Sequence, residues 1–398
     1  MTVISRANRD LIAPFQPFAN SLQPIAVNPR ENPLTMTSPA PSRQRILWVD
    51  IVRTVSAFGV IFTHVTMIVV NYWDKKPLIR GDEVWWTTSV FYAFLARSAL
   101  GLFFMISGYL LLSSQGDTLS FLKKRLWKLF IPLVFWGTFY LVWHGGLPED
   151  PVKLVKFILL SLYTGRVEFH LWFLYAFIGL YLFVPILRIF IRGAQERDIW
   201  YYVALWFLLV PFSSLIYYLT GDMNNLSNVG YFSGFIGLFL LGYLLGRRAL
   251  DSKWLIPLWI LILIWAGVET FFMYSQTRVQ KVIQDQWFDT LTVMVVPYTI
   301  LMFIALKALG ERVQSRLSAH SKIPALFETL SRASLGVILI HVIILELMYA
   351  GVGNIHLGPM DFHPALSVPI VSIVGYAVCF GIVNLAQRIP FVRAILPS

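Results

Sequence analysis

The sequence predicts an all-α, polytopic membrane bundle of about ten transmembrane helices, and three observations carry that prediction. Of the 398 residues, 57% are hydrophobic and only 13% charged, well below the charged share of an ordinary soluble domain. Apolar runs of about twenty residues recur along the whole chain without alternating, which excludes a transmembrane β-barrel. The Lys and Arg residues fall in short clusters between those runs, so the net charge of +11 reads as membrane orientation rather than nucleic-acid binding. The one cysteine, Cys379, lies in an apolar run; this excludes an internal disulfide or a cysteine-based metal cluster and argues against a cysteine-thioester relay.

Residues 1–45 are polar and interrupted by Pro14, Pro17, Pro24, Pro29, Pro33, Pro39 and Pro41. With no uninterrupted apolar stretch this is a disordered cytoplasmic tail rather than a cleavable signal peptide, and Met36 offers a second translation start. A membrane domain over 46–387 follows. Its spans are expected at 47–70, 88–113, 125–143, 171–192, 199–219, 230–247, 254–275, 289–309, 332–352 and 366–386, with a short cytoplasmic tail at 388–398. With the N-terminus inside, 22 Lys and Arg fall on the cytoplasmic side and 8 on the outer side, which places both termini in the cytoplasm. In the outer loop at 144–170, the stretch Val152–Tyr163 is too short to span and reads as an interfacial or re-entrant segment. No internal repeat of the kind many secondary transporters carry is visible.

The first span carries Asp50-x-x-Arg53-x10-His64. Asp or Arg near the centre of a span costs roughly 2.5–3.5 kcal/mol on insertion scales, so such groups mark function. At 100° per residue the three fall on one face, within about a 60° arc, with Arg53 and His64 about 16–17 Å apart along the axis. Asp50 and Arg53 lie near the cytoplasmic mouth and His64 beyond the midplane. Arg53 is then placed to clamp an anionic or polar ligand, with Asp50 to orient it, and His64 to act as a general base. The competing structural reading is an Asp–Arg pair at a helix start plus a packing histidine. In the second span Arg97 falls near mid-membrane and must face protein, water or an anion, while Gly101, Ser107 and Gly108 are small residues suited to close helix packing.

These residues are joined by Leu102-Phe103-Phe104-Met105-Ile106-Ser107-Gly108-Tyr109, Lys124-Arg125 ahead of Ile131-Pro132, His170-Leu171-Trp172-Phe173-Leu174, Pro185, and Leu335-Gly336-x4-His341. The set, in this order, resembles membrane acyltransferase family 3 over roughly residues 45–387, and is most similar to its bacterial inner-membrane O-acetyltransferases acting on surface-polysaccharide precursors. The resemblance implies transfer of an acyl group, usually acetyl from acetyl-CoA, to a glycan hydroxyl, with donor handling and catalysis mapping onto Arg53 and His64. Some members carry a soluble esterase-like domain after the membrane part; here only Arg388 to Ser398 follows, so acceptor selectivity is expected from the spans and outer loops.

On that reading Arg53, Arg97, Ser107, Lys124 and Arg125 are donor-binding candidates, with Lys123 and Lys128 adding charge at the cytoplasmic rim. His170, at the outer end of the fourth span, is a candidate for sugar binding or proton relay, or an interfacial histidine beside Trp172. His341, near mid-membrane, makes a buried polar contact, functional or structural. Glu269 is a candidate to orient an acceptor hydroxyl, or an interfacial carboxylate. His356-x4-Asp361-x-His363 has metal-ligand residue types without a confirming spacing, and no metal or redox cofactor is expected. The expected enzyme is an O-acyltransferase of the bacterial inner membrane whose partners are acyl-CoA, a glycan or lipid-linked saccharide, and the bilayer, with no nucleic acid. Two histidine chemistries stay open, general base and acyl-histidine. A transporter or flippase using the same Arg/His track is the alternative, distinguished by substrate movement without acetyl-CoA consumption.

Overall fold

The computed structural model describes residues 46–71, 83–114, 117–220, 234–280, 283, 285–318, 320–352 and 356–397. The tail expected at 1–45, with Met36, and the loop cations Lys75, Lys76 and Arg80 lie outside the described residues. Every regular element among the described residues is helical. Helix α1 spans Leu47–Asn71, α2 Glu83–Ala96, α3 Ala99–Leu112, α4 Thr118–Trp143 and α5 Pro151–Thr164. After a 3₁₀ turn at Phe169–Leu171 come α6 Trp172–Gly193, α7 Glu196–Leu209 and α8 Ser213–Thr220. The remainder is α9 Ile236–Gly246, α10 Leu255–Gln280, α11 Val295–Arg316, α12 Ile323–Tyr349 and α13 Pro364–Ala386.

Among the described residues, eight segments are long and apolar enough to cross a membrane: α1, the pair α2–α3, α4, α6, the α7–α8 segment to Ile216, α10, α12 and α13. The spans expected at 230–247 and 289–309 are present as α9 and α11 but differ in character. The described α9 has 11 residues, about 16 Å of helix, and ten of them are buried, so protein rather than lipid surrounds it. The 22-residue α11 carries Lys307, Glu311, Arg312 and Arg316 in its last three turns. There Lys307 is buried and donates to Glu311 Oε1 and to the Arg248 carbonyl, both at 2.6 Å.

The second span, expected as one helix at 88–113, is broken at Arg97–Ser98 between α2 and α3. No proline marks the break; the backbone tightens to an Arg97 N–H bond on the Phe94 carbonyl, three residues back. Prolines inside α4 (Pro132), α6 (Pro185) and α13 (Pro369) leave those helices continuous. The stretch expected to be interfacial is helix α5, capped by Asp150 accepting from the Lys153 N–H at 2.8 Å and closed by Gly165 at φ +72°. Among its side chains only Ser161 is buried, leaving Val152, Leu159 and Tyr163 exposed, as a helix lying in the membrane interface requires.

The core sits around α1, which packs against α2, α3, α11, α12 and α13. Lipid-facing surface lies elsewhere, as on α10, where Ile256, Leu263, Val268 and Phe271 are exposed. The closest helix crossing is α3 against α9: a Cβ at Gly108 would stand 1.8 Å from the Phe239 carbonyl oxygen, and one at Gly242 1.9 Å from the Met105 carbonyl oxygen. These glycines let two backbones touch, the small-residue logic of membrane packing. Past α13 the chain turns back on α4, where Trp136 Nε1 donates to the Ile395 carbonyl at 2.9 Å and Leu396 is buried.

Candidate active site

Helix α1 runs uninterrupted from Leu47 to Asn71, so Asp50, Arg53 and His64 are borne by one rigid element at the centre of the bundle. The fold distributes them between two regions. At the near end Asp50 is buried and Arg53 partly buried, and Arg53 Nη1 donates to Ser331 Oγ of α12 at 3.3 Å. Ser334, one turn along α12, donates its hydroxyl to the Arg53 carbonyl at 3.5 Å. Tyr181 of α6 hydrogen-bonds Ser107 of α3 and lies within the field of Arg53 and Arg125. Lys128 of α4 lies within the field of Arg53, Lys124 and Arg125. Arg53, Ser107, Lys124 and Arg125 therefore share one end of the bundle, with Lys128 and Tyr181 beside them. The Phe-Phe-x-x-Ser-Gly motif divides in two: Gly108 packs helices, and Ser107 faces this cationic region.

At the other region three histidines converge. The His64 ring lies against His341 of α12 with centroids 4.8 Å apart, and His341 against His170 at 5.0 Å. Phe169 meets His64 at 5.2 Å, and Tyr140 of α4 meets His170 at 5.1 Å. His64 is only partly buried, whereas His341 and His170 are buried. His341 Nδ1 sits 2.7 Å from the Ile338 carbonyl, which only accepts, so Nδ1 carries the proton. Its Nε2 is left as a lone pair with no hydrogen-bond partner among the described residues. His170 thus lies beneath the surface rather than in an exposed aromatic belt.

A carboxylate bridge that the sequence did not single out holds this region from outside. His144, just past α4, places Nδ1 3.1 Å from Glu168 Oε2 and Nε2 3.2 Å from Glu346 Oε1, while Trp143 Nε1 donates to Glu346 Oε2 at 2.8 Å. A neutral imidazole has one N–H, so both contacts are favourable only when an additional proton resides on His144 or on a carboxyl. Burial raises the Glu168 carboxyl above the usual carboxylate range, and the adjacent His144 opposes that rise. The bridge fixes Glu168 two residues before His170 and Glu346 five residues after His341. Proximity in sequence to two candidate histidines was the available signal.

Arg97 and Glu269 lie within each other's field, and Arg97 also acts on His64. Arg97, at the break between α2 and α3, donates its Nε to the Phe288 carbonyl and has its guanidinium 5.2 Å from the Phe288 ring centroid. It is not among the groups gathered around Ser107, Lys124 and Arg125; the carboxylates acting on it are Asp289 and Glu269. Glu269 is buried at 1% exposure, not interfacial, and its Oε1 accepts from Trp265 Nε1 at 2.7 Å. The expected outer-loop trio is spent on local structure: His356 pairs with Asp361 at 3.1 Å, and His363 caps α13 by accepting from the Ala365 N–H at 3.1 Å. No group of three metal-ligating side chains occurs among the described residues.

The arrangement is a cationic, hydroxyl-lined end suited to holding an anionic ligand and, about 16–17 Å along the same helix, an imidazole cluster suited to proton or acyl transfer. A family model described as an acyltransferase domain matches residues 46–384, which takes in every helix above except the last two residues of α13. No curated protein and no solved structure gives a significant match.

Proposed function

Since the chain belongs to membrane acyltransferase family 3, we propose that it is an O-acyltransferase moving an acyl group, acetyl by the family's habit, from acyl-CoA to a hydroxyl of a surface glycan or its lipid-linked precursor. The observation that carries this reading is the placement of Arg53 and His64 on one continuous central helix, each inside a cluster of matching chemistry. The charge asymmetry of the sequence supports a cytoplasmic Arg53 end, the side on which acyl-CoA is made, and a bacterial inner-membrane location.

In this mechanism the donor's anionic nucleotide stays at the rim formed by Lys123, Lys124, Arg125 and Lys128. Its pantetheine arm passes Arg53, Ser107 and Tyr181 and carries the thioester toward His64. His64 takes the proton of the acceptor hydroxyl as the oxygen attacks the thioester carbonyl; the C–O bond forms, the C–S bond breaks, and the thiolate leaves with its electron pair. The variant in which His64 first accepts the acyl group uses the same geometry and adds one step. His341, whose ring lies 4.8 Å from that of His64 and whose Nε2 has no partner among the described residues, is placed to orient His64 or share its proton.

Mass spectrometry of surface glycans from cells lacking the gene, complemented with wild-type or His64→Ala protein, tests the reading. Wild-type complementation restores an acyl increment and His64→Ala does not; acylation restored equally by both would end the assignment.

A further inference from the structure

At the end of the bundle that bears Arg53, a cavity of about 280 Å³ opens between the ends of α3, α6 and α9. Its polar lining is Ser113, Ser114, Arg188, Arg192, Tyr243 and Arg247, with no carboxylate among the described residues that line it. A second cavity of about 380 Å³ adjoins it, sharing Tyr243 and Arg247. Arg188 and Arg247 hydrogen-bond neutral partners, and Arg247 also lies within the field of Glu196 in the adjoining cavity. Arg188, 5% exposed, donates from Nε and Nη2 to the Leu111 carbonyl at 3.0 and 2.9 Å and from Nη2 to Ser114 Oγ at 2.7 Å. It lies 4.4 Å from the centroid of the Phe121 ring. Arg247 donates from Nη1 to the Tyr243 hydroxyl at 2.5 Å. By contrast Arg248, which faces only the adjoining cavity, is ion-paired with Glu196. Three like charges with no carboxylate among the described lining residues repel one another. Leu111 and Ser114 engage the Nε–Nη2 edge of Arg188, and the guanidinium N–H groups of Arg192 and Arg247 suit the oxygens of phosphate.

We infer that this cavity is a phosphate site and that it holds the nucleotide phosphates of the acyl donor; the assignment rests on the acyltransfer reading. Arg125 links it to the donor track, because it acts on Arg188 here and on Lys128 and Tyr181 there. Ser107 lies about 7–8 Å up α3 from Leu112, and Tyr181 about 10 Å up α6 from Arg188, so their hydrogen-bonded pair stands on the line from the cavity toward α1. The lysines at the start of α4 then form the outer rim of the donor site, and the arginines its anchor. The same phosphate chemistry occurs in an anionic lipid headgroup, and the test distinguishes the two.

Full-length protein in neutral-lipid nanodiscs is titrated with acetyl-CoA, 3′-dephospho-CoA and phosphate-free S-acetylpantetheine, for wild type, Arg192→Gln and Arg247→Gln. Both positions are exposed, so folding should survive, with unchanged thermal unfolding as the check. Each substitution is expected to weaken acetyl-CoA about tenfold, equivalent to about 1.4 kcal/mol, and to leave S-acetylpantetheine unchanged. In a parallel arm, nanodiscs containing phosphatidylglycerol are analysed for retained lipid. Loss of that lipid in the variants with acetyl-CoA affinity intact overturns the nucleotide assignment in favour of a headgroup. Acetyl-CoA affinity unchanged in both variants, with no lipid effect, overturns the phosphate site altogether. Failure of wild type to bind acetyl-CoA overturns the acyltransfer reading and this assignment with it.

Discussion

His64 and His341 face each other ring to ring, their centroids 4.8 Å apart and their planes inclined by 33°, although one comes from the first helix and the other from the twelfth. The Ile338 carbonyl fixes the proton of His341 on Nδ1, which leaves Nε2 as an acceptor. If His341 orients the base or shares its proton, His341→Ala should lower kcat by about 10²-fold or more while leaving the KM for acyl-CoA near wild type. Steady-state kinetics on purified protein check this; a KM effect with kcat intact would mark His341 as a packing residue.

Arg53 offers a planar fork beside Ser331, and lysine cannot reproduce it. Arg53→Lys is expected to raise the acyl-CoA KM about tenfold or more, with the acceptor KM little changed. Donor-concentration series at fixed acceptor measure the split, and equal shifts for both substrates would count against a donor role.

The α3–α9 crossing has no room for a methyl group. Gly108→Ala and Gly242→Ala force backbones apart, with an expected cost of about 1–3 kcal/mol or more and loss of the monodisperse species in detergent chromatography. Gly267→Ala, with nothing within 4 Å of the added carbon, is the matched control and should behave as wild type.

Burial raises the Glu168 carboxyl above its ordinary range. The folded protein therefore holds that proton to higher pH than the unfolded chain. Glu168 accordingly contributes a stability that falls as pH rises from the ordinary carboxylate range through the raised value. Glu168→Gln should remove that part of the slope, read as the unfolding midpoint of detergent-purified protein against pH; an identical slope in the variant would contradict the assignment.

The spans were legible because lipid demands long apolar helices, and helix length with hydropathy marks eight of them among the described residues. Their ends were less so, since polar residues can prolong a helix beyond the apolar run. Helix α10 continues through Ser275 to Gln280, so Glu269 lies deep in the bundle although the apolar run made it look interfacial. The break at Arg97 carries no proline to announce it. His64, Arg53, His170 and His341 stood out as ionisable groups in apolar helices, but their grouping depends on contacts between distant parts of the chain. His144 and Glu168 lie outside the apolar runs and Glu346 near the end of one, and only the fold closes them into a bridge.

Inverted membrane vesicles given labelled acetyl-CoA on the face bearing Arg53, with membranes containing the glycan precursor, put the track from Arg53 to His64 to the most direct test. Wild-type protein is expected to consume acetyl-CoA and deliver label to the glycan, and His64→Ala, folded by the same chromatographic criterion, to deliver none above background. Label delivered at a near-wild-type rate by His64→Ala, or glycan carried across the membrane by wild type without acetyl-CoA consumption, would contradict the account.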